Sequence, residues 1–139
     1  MTREPIYAAL FKLLAVPGLV TVSRKLLHWA DVPAVQQPAL FMAQGVETAM
    51  RTTGLPPKWE FAVKLYLYVN TTGAASPAPL VNVVLDSICA ALVPRLAGAT
   101  QTLGGLVHDA RIEGAIETDE GTLGDQAVCI IPIRIITAA

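Results

Sequence analysis

The sequence predicts an α+β domain in which two helices pack on one face of a largely antiparallel sheet, and three patterns carry that prediction. Residues 58–70 alternate strictly, with Trp59, Phe61, Val63, Leu65, Leu67 and Val69 on one side and Lys58, Glu60, Lys64, Tyr66, Tyr68 and Asn70 on the other. Two stretches repeat apolar residues at helical spacing: Ile6, Leu10, Leu13 and Leu14, then Val81, Val84, Leu85, Ile88 and Leu92. The last third reads as two strands joined by a turn, so helices and strands come in separate runs rather than in βαβ units.

Thr2 is placed to cap the first helix, Pro5 suits its first turn, and Pro17-Gly18 end it. Residues 19–29 mix strand alternation at Val20, Val22 and Leu26 with polar residues that favour a turn. Residues 31–38 carry two prolines and two glutamines and read as a connection, and residues 39–44 are an apolar run of strand length. Residues 47–57, with Gly54 and the Pro56-Pro57 pair, read as a flexible loop. Small residues over 71–79 lead into the second helix, which Pro94 closes.

Beyond a glycine-containing linker, Leu106, Ala110, Ile112 and Ile116 alternate with Asp109, Arg111, Glu113 and Glu117 as a half-solvated strand. Asp119, Glu120 and Gly121 supply turn chemistry before the apolar run 127–136. Pro132 lacks an N–H and therefore has to sit at a bulge or at an unpaired edge position.

With 139 residues the chain forms a single domain spanning residues 1–139. Hydrophobic residues make up 53% and charged ones only 15%, against about 25% in an ordinary soluble domain, so part of the surface is expected to face another protein. Ten Lys and Arg against eleven Asp and Glu exclude nucleic-acid binding by phosphate neutralisation. The longest apolar stretches are interrupted by Asn82, Asp86 and Arg134, short of the roughly 20 residues a membrane helix needs. Arg3 and Glu4 precede the first apolar stretch and no small-residue cleavage site follows it, so a cytosolic protein is expected.

No catalytic constellation is legible. Cys89 and Cys129 lack a second pair or a nearby histidine and read as buried free thiols, and His28 and His108 lack ligands at helical spacing. Neighbouring His108 and Asp109 point to opposite faces of a strand and cannot act as base and orienter. The acids are the one dense cluster: Asp109, Glu113, Glu117, Asp119, Glu120 and Asp125 place six of eleven carboxylates in residues 109–125, opposed only by Arg111. Such residues suit a solvated strand face or a docking surface. A divalent-cation site or an acid and base pair is the enzymatic alternative, a small cation-dependent hydrolase that lacks a nucleophile.

Charge is also segregated along the chain. Residues 1–64 hold seven cations and four anions, and residues 65–139 three and seven, giving +3 and −4. Opposite ends on one subunit suit a head-to-tail contact, which closes into a ring when its rotation permits. Arg24 and Lys25 are the candidate basic side of that contact, and Glu113, Glu117, Asp119, Glu120 and Asp125 the acidic side.

Three strings carry a family resemblance: RKLLHWADVPAVQQPALFMAQG over 24–45, LPPKWEF over 55–61 leading into LYLYV, and the ending GGLVHDARIEGAIETDEGTLGDQAVCIIPIRI. In these the chain resembles the tail terminator, or tail completion, and minor tail proteins of long-tailed bacteriophages. The resemblance implies an α+β subunit that forms a ring, expected to be a hexamer, on the major tail tube protein. Such a ring ends tube polymerisation and offers a surface to the head-tail connector protein. It implies no enzyme activity and no cofactor, and a location in the virion tail after assembly in the host cytoplasm. A head completion or neck protein of the connector would share the small size, the ring symmetry and the lack of catalytic residues, and is the alternative.

Overall fold

The computed structural model describes every residue except 1, 95, 97, 123, 138 and 139. The chain runs α1 (Arg3–Leu13), β1 (Thr21–Ser23), two short 3₁₀ turns (Trp29–Asp31 and Ala34–Gln36), β2 (Ala39–Met50) and β3 (Lys58–Asn70), followed by α2 (Ala78–Leu92), β4 (Val107–Ile112), β5 (Glu117–Asp119) and β6 (Gln126–Thr137). The sheet order is β1-β2-β3-β6-β4, with β5 also paired to β6. Every pairing is antiparallel except that of β1 with β2.

The alternation of β3 sorts the two faces. Phe61, Val63, Leu65, Leu67 and Val69 face the helices and join Leu40 and Met42 of β2 and Ala127, Cys129, Ile131, Ile133 and Ile135 of β6 in the main core. From α1 this core takes Ile6, Tyr7, Leu10 and Leu14, and from α2 Val81, Ile88 and Leu92. Both helices therefore cover one sheet face, as the periodicity predicts. Thr2 stands at the N-cap of α1, but its side chain makes no capping hydrogen bond.

The opposite face carries a smaller cluster of Val32, Ala39, Phe41, Tyr68 and Val128 under residues 26–37. Hydrogen bonds from Tyr68 to the Leu27 carbonyl (2.7 Å), Gln126 to the Trp29 carbonyl (3.0 Å) and Gln37 to the Val32 carbonyl (3.0 Å) hold this segment down. A connection rich in Pro and Gln thus lies on the sheet because these hydrogen bonds tie it down, although the buried Gln37 Oε1 is left without a partner among the described residues.

Three elements depart from the expected pattern. The loop expected at 47–57 begins only after Met50, because β2 continues through a bulge in which Gly45 and Val46 lie opposite Ala62. A Cβ on Gly45 would stand 2.9 Å from the Ala62 carbonyl oxygen, so only glycine permits that approach. The strand expected over 106–117 is two strands, interrupted at 113–116 and bulged at His108. Pro132 lies opposite the interruption and accepts there from the Glu113 N–H at 3.2 Å, which meets its requirement for a bulge. Since N–H and C=O of one strand residue point the same way, the missing donor faces a gap rather than a broken ladder.

Candidate functional site

The acidic residues predicted as one patch divide into two structural groups. Asp109, Arg111 and Glu113 share the sheet face away from the helices, as odd-numbered positions on a strand should, and Arg111 pairs with both carboxylates, meeting Glu113 at 2.9 Å. Arg134 on β6 reaches Glu113 and, on β3, Glu60, each at 2.5 Å. The result is one charge network across β3, β6 and β4 in which each anion has a guanidinium partner. Arg111 accordingly holds the Glu113 carboxyl below its ordinary range.

The second group lies on β5 and the turn that follows. Asp119 accepts from the backbone N–H of Gly121 at 3.0 Å and of Thr122 at 2.8 Å, and from the Thr122 hydroxyl at 2.7 Å. These donors, the Gly121 amide first, lower its pKa and identify it as the residue that shapes the turn. Glu117, Glu120 and Asp125 are exposed and form no ion pair among the described residues. The structure therefore assigns Glu113 and Asp119 to holding this chain together and leaves those three carboxylates open to a partner.

The predicted basic side divides in the same way. Arg24 pairs with Glu4 of α1 and donates to Gln44 of β2 at 3.0 Å, locking the end of β1 between them. Lys25 is exposed, with only its backbone N–H engaged, by the Ser23 hydroxyl at 3.0 Å. The two cations stand near the middle of the sheet rather than at an end, since β1 pairs with residues 39–41 and Arg24 reaches Gln44.

Sequence reasoning passed over a second cluster on the helical side. Tyr7 donates to Glu47 at 2.6 Å, Arg3 pairs with Glu47 at 2.7 Å, and the Arg3 guanidinium lies 5.1 Å from the centre of the Trp59 ring. Burial, reinforced by Glu47, pushes the Tyr7 hydroxyl up, while hydrogen bonds from Tyr7 and then Arg3 bring Glu47 down. The sequence pattern reads Glu47 as loop, which hides its inward position.

It also passed over Arg51 and Lys58. Both are exposed at the base of the β2–β3 turn and form no ion pair among the described residues. Because β3 and β6 are antiparallel, this turn and the acidic β5–β6 turn lie at opposite ends of the sheet. The cations Arg51 and Lys58 thus stand at the opposite end of the sheet from the carboxylates Glu120 and Asp125, all four unpaired among the described residues, whereas Asp109 and Glu60 lie at the cationic end with arginine partners.

The cysteines are free, Cys129 buried and Cys89 half-buried, and burial raises both thiols, which disfavours the reactive thiolate. Among the described residues no three His, Cys, Asp or Glu side chains converge as a metal site would require, and no helix is long and apolar enough to cross a membrane.

No known protein family matches the sequence, and no curated protein is similar to it in sequence. Solved structures share its fold, among them two that align over essentially the whole length. One is 19% identical, with a TM-score of 0.57 over all of this chain and 98% of that one. The other, a chain of a structure described as the virion of a native gene transfer agent particle, is 13% identical, with a TM-score of 0.54 over 99% of this chain and all of that one.

Proposed function

We propose that this chain is a structural protein of a phage-like virion that caps the tail tube as an oligomeric ring, ends tube polymerisation and forms the surface that joins the head. The observation that carries this reading is the end-to-end fold likeness with a chain of a gene transfer agent virion, in which each chain accounts for essentially all of the other. A likeness without extra domains on either side suits proteins that do comparable work as whole subunits. The resemblance of residues 24–45, 55–61 and the C-terminal strands to tail terminator proteins supplies the specific position. On this reading the partners are further copies of the chain, expected as a hexamer, the major tail tube protein and the head-tail connector protein.

The geometry favours assembly over a cation-dependent hydrolase. Asp109 and Glu113 are already engaged by Arg111 and Arg134, which competes with a cation for the same oxygens and disfavours taking up a proton. What remains open is a set of carboxylates at one end of the sheet and cations at the other, with exposed apolar side chains beside each.

Electron microscopy of the purified protein, alone and mixed with tail tubes, tests the proposal. Rings seated on tube ends that stop growth are expected. Rings that bind only isolated connectors would move the protein to the neck as a head completion protein, and the absence of binding to either would overturn the assembly reading.

A further inference from the structure

We infer that the tip of the β2–β3 hairpin is a knob, and the groove beside the first half of α2 its socket, in a head-to-tail contact between two copies of this chain. This names the surfaces of the self-association proposed above and rests on that reading.

The knob is Leu55-Pro56-Pro57. Leu55 is 62% exposed, and both prolines are exposed. The turn is closed by the Leu55 N–H donating to the Thr52 carbonyl at 3.0 Å, with Gly54 at φ +82° in the left-handed region. Two prolines with fixed φ leave little freedom to lose on docking, so an apolar side chain is presented already ordered.

The socket is a groove of about 460 Å³ lined by Pro38, Val69, Pro79, Leu80, Val83 and Val84. Val83 is 68% exposed and Leu80 45%, which is unusual for a helix whose other stripe already fills the core. The groove has room for a leucine side chain and a proline ring.

Charge marks the two as partners. Arg51 and Lys58 bracket the knob. Asp86 lies one helical turn beyond Val83, and Asp125 precedes Gln126, the register partner of Asn70 in the groove wall. All four are exposed and unpaired among the described residues. Cations beside the apolar knob and anions beside the apolar socket set the register that apolar contact alone would leave loose.

The two features cannot meet within one molecule. The knob immediately precedes the start of β3 and the socket lies at the far end of that 13-residue strand, a run of about 40 Å at the rise of a strand. The contact is therefore between copies and joins unlike surfaces, the geometry that closes a ring or extends a filament.

Leu55→Asp and Val83→Asp test it by analytical ultracentrifugation of the full chain. Both positions are exposed, so each variant should keep the wild-type melting temperature. The wild type should self-associate, and each variant alone should do so more than about tenfold more weakly. The two mixed should form a one-to-one dimer and nothing larger, because each retains one intact half. Lys58→Glu and Asp86→Lys form a second set, in which each alone weakens association and the mixture regains it. Variants that associate like the wild type would overturn this contact and leave the ring to another surface. A wild-type chain that stays monomeric at sub-millimolar concentration would overturn the contact too, and the tail-tube micrographs would then decide the ring separately.

Discussion

The hydroxyl of Tyr7 donates to a carboxylate oxygen of Glu47 across 2.6 Å, tying the first helix to the second strand just past its bulge. Tyr7 is buried, and its ring also stacks on Phe61 at 5.2 Å between centroids. Tyr7→Phe keeps the stacking and removes only the hydrogen bond. A bond to a charged acceptor contributes about 1.5–3 kcal/mol when fully buried, and the solvent access of Glu47 reduces this to about 1 kcal/mol. Urea denaturation should show that loss with an unchanged m-value, and no loss would mean that Glu47 is held by Arg3 alone.

Replacing Gly45 by alanine is expected to disturb the β2 bulge. The added methyl would meet the Ala62 carbonyl oxygen at 2.9 Å, where the obstacle is backbone and cannot swing aside. Strain of this kind costs about 1–3 kcal/mol. Amide exchange should accelerate at residues 43–48 and 60–63 more than in β6, and uniform acceleration would point to a global effect instead.

Acid should destabilise the subunit. Glu4, Glu47, Glu113 and Asp119 all have lowered pKa values, held down respectively by Arg24, by Tyr7 and Arg3, by Arg111, and by the Gly121 amide. A depressed folded-state pKa gives stability that is present above the unfolded value and lost as pH falls through the folded one. Melting temperature should therefore be steady near neutrality and decline below about pH 4. For Tyr7 the sign reverses: its raised pKa favours the fold below the unfolded value, so stability should also fall above about pH 10, and less so in Tyr7→Phe.

Charge reversals at two glutamates four residues apart should behave differently. Glu113→Lys sets an ammonium against Arg111 and Arg134 and should lower the melting temperature, whereas Glu117→Lys, exposed and unpaired among the described residues, should leave it unchanged. Only the second can report cleanly on assembly. Equal melting temperatures would show that the network on β3, β6 and β4 contributes little to the fold.

The central strand was legible because β3 has an apolar side and a polar side, and the helices because their stripes keep a single period. Where a bulge resets the alternation, the signal disappears. Past Gly45 and Val46 the inward position passes to Glu47, a residue no hydrophobic pattern marks, and the second half of β2 read as loop. His108 does the same in β4. The pairing of β1 with β2 is parallel and three residues long, too short for periodicity to show. The charged candidates were identified by type, and some of their partners are local, as Arg111 is to Glu113, but others are distant in sequence: Arg24 is 20 residues from Glu4, and Arg134 is 21 from Glu113. Whether a carboxylate is spoken for or free depends on such long-range pairs, and composition does not reveal them.

The borders of the sheet constrain how subunits can multiply. On one side β1 offers three residues and β2 then kinks at its bulge; on the other, β4 and β5 are split opposite Pro132, and the Ala110 amide is already taken by the Gln101 carbonyl at 2.8 Å. Among the described residues no long straight row of backbone donors and acceptors is left to template another strand. Ribbon-like growth, which has no natural stopping point, is thereby discouraged, and copies are left to recognise one another through side chains. For a protein whose proposed task is to bring polymerisation to a halt, that makes the number of subunits a matter of geometry rather than of supply.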